Sequence, residues 1–481
     1  VPAHFLVGLL AAERNDIKTA ISAFGSVTRL QSDHVAAWAQ LARLSFLVGQ
    51  TVHAEAALTR AVALGSSDPI VQDTIGGALT LAGDHAGARA WFERATAARP
   101  NVAHFQMNLA STLVALGDPA RADVALDAAL AAAPDNARAH WMRATARRAT
   151  SDQHIRQMYA LQSRYAGQPD AIAFLAYGAG KEYEDLERWD AAFVEFERGA
   201  RAKRSTLAYD EAAQAAQFDA LIRTFSHRWC TEERSACADA APIFIVGQPR
   251  TGTTLIERIV SGHSKVQSVG ELPHFGVAMR RLAGIATTDG AAVARASANI
   301  DTKALGEAYV RGVAHLRDGR PRFVDKLPLN YLHVGLIARA LPNARIVHVM
   351  RDPLDSCFAS YKQLFADAYP HSYDQLEMAR HYARYRRLMD HWRAVLPGRI
   401  YDVAYEDVVA DIESAARRLI DHLELPWEPA CADFQRNAAP VTTASAVQVR
   451  EGLYRRSIGR WRRYATQLAP MIDELHRASV L

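Results

Sequence analysis

Apolar and small residues in the first 140 positions recur with a period of 34, which restricts the chain to stacked copies of one supersecondary unit. Small side chains fall at Ala20, Ala54, Ala88 and Ala122. Larger ones follow at Phe24, Leu58, Phe92 and Leu126, and a third set at Val27, Ala61, Ala95 and Ala129. Alanine lets the two helices of a unit approach closely, while the bulky residue four positions on fills the groove of its neighbour. Pro100 and Pro134 close two of the copies, because proline has no N–H to continue a helix, and Trp38 and Leu41 open the second copy.

The fifth copy, from about Ala137, loses the pattern after Trp141, and a further one returns near Ala173 with Tyr183, Ala192 and Phe196 in place. Six units are therefore expected, the fifth irregular. An alanine-rich bundle with accidental periodicity is the competing reading, and four units in register without a gap speak against it. The pattern resembles the tetratricopeptide family. That resemblance implies an all-α solenoid over residues 1–206 that either docks a protein or peptide partner or braces the rest of the chain. A helical linker containing Glu211, Ala212 and Phe218 follows, and a polar stretch with two cysteines completes residues 207–240.

A chain of 481 residues is too long for one ordinary core, so a second domain is expected over 241–481. Hydrophobic residues at 49% and charged residues at 22% exclude a disordered or fibrous chain. The formal charge of +4 gives no overall field for nucleic acid but leaves room for a local basic pocket. The four cysteines, Cys230, Cys237, Cys357 and Cys431, have no metal-ligand spacing and are read as unpaired. No apolar run approaches the roughly 20 residues of a membrane span. A start at Val1 within a repeat suggests upstream sequence. With no signal segment visible and alanine and arginine abundant over lysine, a cytoplasmic location and a GC-rich, bacterial gene are expected.

From Pro242 the pattern changes to a short apolar run, Ile243 to Val246, a tight turn, and an amphipathic segment from Leu255 to Val260, which predicts strand, loop and helix. The loop Gly247-Gln-Pro-Arg250-Thr251-Gly252-Thr253-Thr254 has the form of a phosphate cradle. Its backbone N–H groups and the helix start hold an anion, and Thr253 and Thr254 add hydroxyl donors. A nucleotide-hydrolysing loop would carry lysine directly after the second glycine, where this chain has Thr253. The loop instead resembles the 5′-phosphosulfate loop of sulfotransferases that use 3′-phosphoadenosine 5′-phosphosulfate (PAPS).

Five further motifs follow in order. Gly270-Glu271-Leu272-Pro273 offers Glu271, a carboxylate suited to taking a proton from an attacking hydroxyl. Phe323-Val-Asp325-Lys326-Leu-Pro-Leu-Asn330 reads as a strand ending in a polar turn, where Lys326 can stabilise charge spreading over sulfate oxygens. The strand Ala344 to Met350 delivers Arg351-Asp352-Pro353 to a helix start. Tyr401 to Asp407 repeats the strand-turn-helix form around Tyr405, and Ser445 and the segment Ser457 to Trp461 close the series.

Over roughly Pro242 to Leu481 these motifs resemble the PAPS-dependent sulfotransferases, the tyrosylprotein enzymes and their bacterial relatives in particular. The resemblance implies a P-loop-type α/β domain with a mainly parallel sheet, PAPS as co-substrate, no metal, and transfer to a hydroxyl of a protein tyrosine, a carbohydrate or a small molecule. Glu271, Arg250, Lys326 and Ser445 would be catalytic. Arg250, Thr251, Gly252, Thr253, Thr254, Arg351, Ser360, Tyr405, Ser445 and Arg460 would hold the donor. The family has serine eight residues after the motif arginine, where this chain has Ala359, so Ser360 reaches by a shifted helix or Arg351 works with Ser356 or Lys362. The competing functions are a nucleotide kinase or hydrolase, with Asp325 as the magnesium carboxylate, and a non-catalytic repeat adaptor.

Overall fold

The structure is a computed structural model that describes residues 1–232, 235–365, 367–437, 439–441 and 457–481. Ser445 lies outside the described residues. The chain divides into two compact units. The first holds residues 1–161 with Pro440 and Val441, and the second holds residues 162–439 and the C-terminal segment from 457.

The first unit is a succession of antiparallel helix pairs. These are α1 (Pro2–Glu13) with α2 (Ile17–Leu30), α3 (Val35–Leu47) with α4 (Thr51–Leu64), and α5 (Pro69–Leu81) with α6 (His85–Ala98). Then come α7 (Ala103–Leu116) with α8 (Pro119–Ala132), and the shorter α9 (Ala137–Ala146) with α10 (Gln153–Gln162), whose last residue falls in the second unit. All twelve residues of the three periodic sets are buried. The second helix of each pair starts at positions 34 apart, and Asp16, Asp84 and Asp118 there accept the amides of Thr19, Gly87 and Arg121. Gln50 holds the fourth such position and makes no capping bond.

A finer rule governs how each pair closes. A Cβ built on Gly8 would come within 2.7 Å of the Phe24 ring, and one on Gly76 within 2.7 Å of Phe92. Where the facing residue is leucine, at Leu58 and Leu126, the small position holds Ala42 and Ala110 instead. Glycine costs a helix about 0.5–1 kcal/mol relative to alanine, so its place mid-helix reflects the room a phenyl ring takes.

The second unit opens with one more pair, α11 (Pro169–Asp185) and α12 (Trp189–Arg204), which obeys the same rule, since a Cβ built on Gly180 would come within 2.7 Å of the Phe196 ring. Two linker helices follow, α13 (Glu211–Thr224) and α14 (His227–Thr231). The bonds of α11, α12 and α13 run into the later chain. Tyr177 donates to the Tyr361 carbonyl at 2.9 Å, Arg204 pairs with Glu377, and Glu211 takes both Arg380 and Arg384.

The centre is a five-stranded, wholly parallel sheet in the order β2-β3-β1-β4-β5. Its strands are β1 (Pro242–Gly247), β2 (Val266–Ser268), β3 (Arg322–Asp325), β4 (Arg345–Met350) and β5 (Ile400–Ala404). All six residues of β1 are buried, as helix-covered central strands require. From β1 the chain crosses to the edge strand β2, returns to β3 beside β1, and then passes to the other side of β1 through β4 and β5. That reversal makes the carboxyl ends of β1 and β4 the usual ligand position of an open α/β sheet. All four cysteines are free, and no helix among the described residues is long and apolar enough to cross a membrane.

Candidate functional site

Each strand delivers a candidate residue from its carboxyl end. After β1 the chain makes the phosphate-type loop and enters α15 (Thr253–Ser261). The loop is held in a sharply bent form. Arg250 has φ +68 and Gly252 φ +100, and a Cβ on Gly252 would lie 2.5 Å from the Tyr405 ring, so only glycine fits there. Thr251 Oγ1 donates to the Gln248 carbonyl at 2.8 Å and locks the turn. Gly252 is the N-cap of α15 and offers no capping side chain, and a helix start of this kind, with Thr253 and Thr254 buried in its first turn, is suited to an anion.

The ends of β2 and β3 form the second part of the site. Lys326 N–H donates to the Gly270 carbonyl at 2.9 Å, and this backbone bond brings Glu271 beside Lys326. The Lys326 ammonium, 1% exposed, lies 2.5 Å from Glu271 Oε1 and 3.7 Å from Glu257 Oε2. Glu271 itself is 39% exposed, so its carboxylate faces the open side where an acceptor can approach. Glu257, on α15, was not anticipated, although it lies one helical turn beyond Thr253 and so on the same face.

Asp325, the preceding residue, is fully buried and accepts the Tyr309 hydroxyl at 2.9 Å. Burial pushes its pKa up to about 7. A carboxyl enclosed in this way is a poor magnesium ligand, which removes the acidic residue the nucleotide-hydrolase reading relied on.

Arg351, after β4, donates to the Arg250 carbonyl at 2.9 Å and to the Ser457 carbonyl, and its guanidinium lies 5.0 Å from the centre of the Tyr405 ring. Tyr405 in turn hydrogen-bonds Ser457 Oγ at 2.8 Å. The loop, Arg351, Tyr405 and the segment starting at Ser457 thus meet. Asp355 fixes that segment by accepting the amides of Gly459 at 2.6 Å and Trp461 at 3.3 Å.

Among the partners considered for Arg351, Ser360 donates its hydroxyl to the Pro249 carbonyl at 3.3 Å. Lys362 is engaged by Glu184 at 2.8 Å. Ser356 Oγ and Arg351 Nε are buried and make no hydrogen bond among the described residues. Those two orphaned polar atoms, the uncapped α15 and the cradle that a Cβ would fill all fit a phosphate-bearing ligand. Arg460, expected at the donor, points its guanidinium to Glu184 at 3.0 Å.

Residues 242–429 match the sulfotransferase family, and residues 79–146 match the tetratricopeptide repeat. A protein of Aquifex aeolicus (strain VF5) with no characterised function is 31% identical over 335 residues, 68% of this chain and 44% of that protein. The omega-hydroxy-beta-dihydromenaquinone-9 sulfotransferase Stf3 of Mycobacterium bovis is 28% identical over 114 residues, 22% of this chain and 29% of that enzyme. The chain spans less than half the length of these relatives. The solved sulfotransferase domain of the Synechococcus PCC 7002 olefin synthase aligns over 52% of this chain and 97% of its own, at 18% identity and a TM-score of 0.38. The tetratricopeptide protein YrrB aligns over 38% and 93%, at 21% identity and a TM-score of 0.31. TM-scores this low leave the fold to rest on the chain's own topology. Residues 242–429 carry a sulfotransferase-family domain, and residues 79–146 carry tetratricopeptide-repeat sequence.

Proposed function

We propose that the second unit is a PAPS-dependent sulfotransferase, of the type that moves a sulfuryl group to a hydroxyl acceptor. The observation that carries the reading is the Glu271–Lys326 pair at 2.5 Å, set at the strand ends beside a loop helix that no side chain caps. PAPS supplies a sulfuryl group activated by attachment to a phosphate leaving group.

In this reading the loop and the first turn of α15, with Thr251, Gly252, Thr253 and Thr254, hold the 5′-phosphate. Arg351 with Ser356 holds the 3′-phosphate, and Tyr405 packs the loop from below. Glu271 accepts the proton of the acceptor hydroxyl, a step general-base catalysis makes about 10²–10⁴-fold faster. Lys326 and Arg250, and Ser445 by the family resemblance, face the charge that develops on the transferred group and the departing oxygen. No step asks for a metal ion.

The acceptor is a hydroxyl group, and the resemblance to the tyrosylprotein enzymes favours a protein tyrosine, with the repeat array recruiting the protein that bears it. The name of the Mycobacterium bovis relative gives a lipid-like alcohol as the second candidate. The test is transfer of radiolabelled sulfate from PAPS to a panel of tyrosine peptides, phenols, saccharides and long-chain alcohols. Label should move to at least one class and stop moving in Glu271→Gln. No transfer to any class, with turnover of ATP in the presence of magnesium by the same preparation, would overturn the reading.

A further inference from the structure

Glu184 lies near the end of α11, 7% exposed. Its carboxylate takes Lys362 Nζ at 2.9 and 2.8 Å, Arg460 Nη2 at 3.0 Å and the Tyr464 hydroxyl at 2.8 Å. Burial alone would raise its pKa, but the charges of Lys362 and Arg460 outweigh burial and hold it below the ordinary value. It is therefore a buried anion held by two cations.

Both cations sit on segments that meet the donor-side loops. Ser360, two residues before Lys362, donates to the Pro249 carbonyl of the loop. Gly459, directly before Arg460, donates to Asp355, and the Ser457 carbonyl accepts from Arg351. Lys362 also lies close enough to Arg250 to feel its charge. Two cations thus share one buried carboxylate, and a phosphate is the kind of ligand that balances the remainder.

We propose that Glu184 is a positioning residue for the donor: it holds Lys362 and Arg460 beside the phosphate-binding loops and retains the proton on Lys362, so that both cations serve the donor's phosphate. This inference rests on the sulfotransferase reading. The groups facing Lys362 are Glu184 from α11, Arg460 and Tyr464 from the C-terminal segment, Arg250 from the loop and the Phe358 ring one turn back on its own helix. Burial, then the repulsion of Arg460 and Arg250, brings the Lys362 pKa down to about 8 against the pull of Glu184. Without that carboxylate the ammonium loses its main reason to stay charged near neutral pH.

The experiment is calorimetric titration of the full chain with 3′-phosphoadenosine 5′-phosphate from pH 7 to 9.5, where the ligand's own phosphates are already ionised. Wild-type affinity should fall as pH rises through about 8. In Glu184→Gln the affinity should already be down by about tenfold at pH 7.5, with little further pH dependence. Lys362→Arg, whose charge does not titrate, should bind with no break near 8, and in the Glu184→Gln background it should restore most of the lost affinity. A merely structural role predicts a uniform loss with the break unmoved and no rescue by arginine, and that result overturns the proposal, as does a Lys362→Arg profile that still breaks near 8. The Lys362→Arg arm decides the matter if Glu184→Gln does not fold. Failure of the wild type to bind the ligand at any pH would instead sink the sulfotransferase reading beneath it.

Discussion

Gly76→Ala tests the rule by which each helix pair closes. The added Cβ would stand 2.7 Å from the Phe92 ring in a packed interface, where overpacking costs about 1–3 kcal/mol. Against this, replacing a mid-helix glycine returns about 0.5–1 kcal/mol. The net expectation is a destabilisation of about 0–2.5 kcal/mol, the difference of those two ranges. Phe92→Leu alone removes buried ring atoms and costs about 1–2 kcal/mol. The double variant recreates the Ala110–Leu126 pairing of the next repeat, so it should lie within about 1 kcal/mol of wild type, a coupling of about 2 kcal/mol between the two sites. Hydrogen-exchange mass spectrometry on the full chain reads this locally, through amide protection over Pro69–Ala98, at tenfold in exchange per about 1.4 kcal/mol. Additive effects, with the double variant the least protected of the three, would refute the reasoning.

Gly252→Ala should abolish binding of 3′-phosphoadenosine 5′-phosphate while circular dichroism stays unchanged, because the new Cβ meets the Tyr405 ring at 2.5 Å and the φ of +100 strains the loop; binding within threefold of wild type would contradict this. Glu271→Gln should lower kcat by about 10²–10⁴-fold and leave donor affinity within about twofold, read by stopped assays and calorimetry; a parallel loss of both would remove Glu271 from the role of base. Asp325→Asn tests the buried carboxyl by urea unfolding against pH. With the folded pKa near 7 and the ordinary value 3.8, both states hold the proton below about 4, and the unfolded chain releases it first above that. Stability should therefore fall as pH rises from about 4 to 7 and level off beyond, and this slope should shrink in the variant.

The repeat frame was legible because a fixed period survives in the sequence, and the residues at that period are the ones buried. The Gly76–Phe92 complementarity was less visible, since it appears only when small and large positions are compared across repeats. The period also identifies α11 and α12 as a pair without saying what they pack on, because the Gly180–Phe196 contact is internal to the pair while Tyr177, Glu184 and Arg204 make the outward contacts. Among the candidate residues, Arg250, Lys326, Arg351 and Tyr405 could be singled out because each follows a recognisable strand, and Glu271 through the resemblance to the sulfotransferases. Glu257 and Glu184 could not, since each is a lone glutamate in a helix, and only the fold brings Lys326 to one and Lys362 and Arg460 to the other. Arg460 was read from its motif as a donor ligand, and a motif carries no information about a carboxylate 276 positions earlier in the chain.

The central claim is that the carboxyl ends of β1 and β4 hold a 3′-phosphorylated adenosine nucleotide. Calorimetric titration of the wild-type chain and of Arg351→Ala with 3′-phosphoadenosine 5′-phosphate, and with ATP and magnesium alongside, tests it most directly. Micromolar binding of the former is expected, weakened by at least about tenfold in Arg351→Ala, with ATP bound far more weakly. Silence toward 3′-phosphoadenosine 5′-phosphate together with clear binding of ATP and magnesium would contradict it.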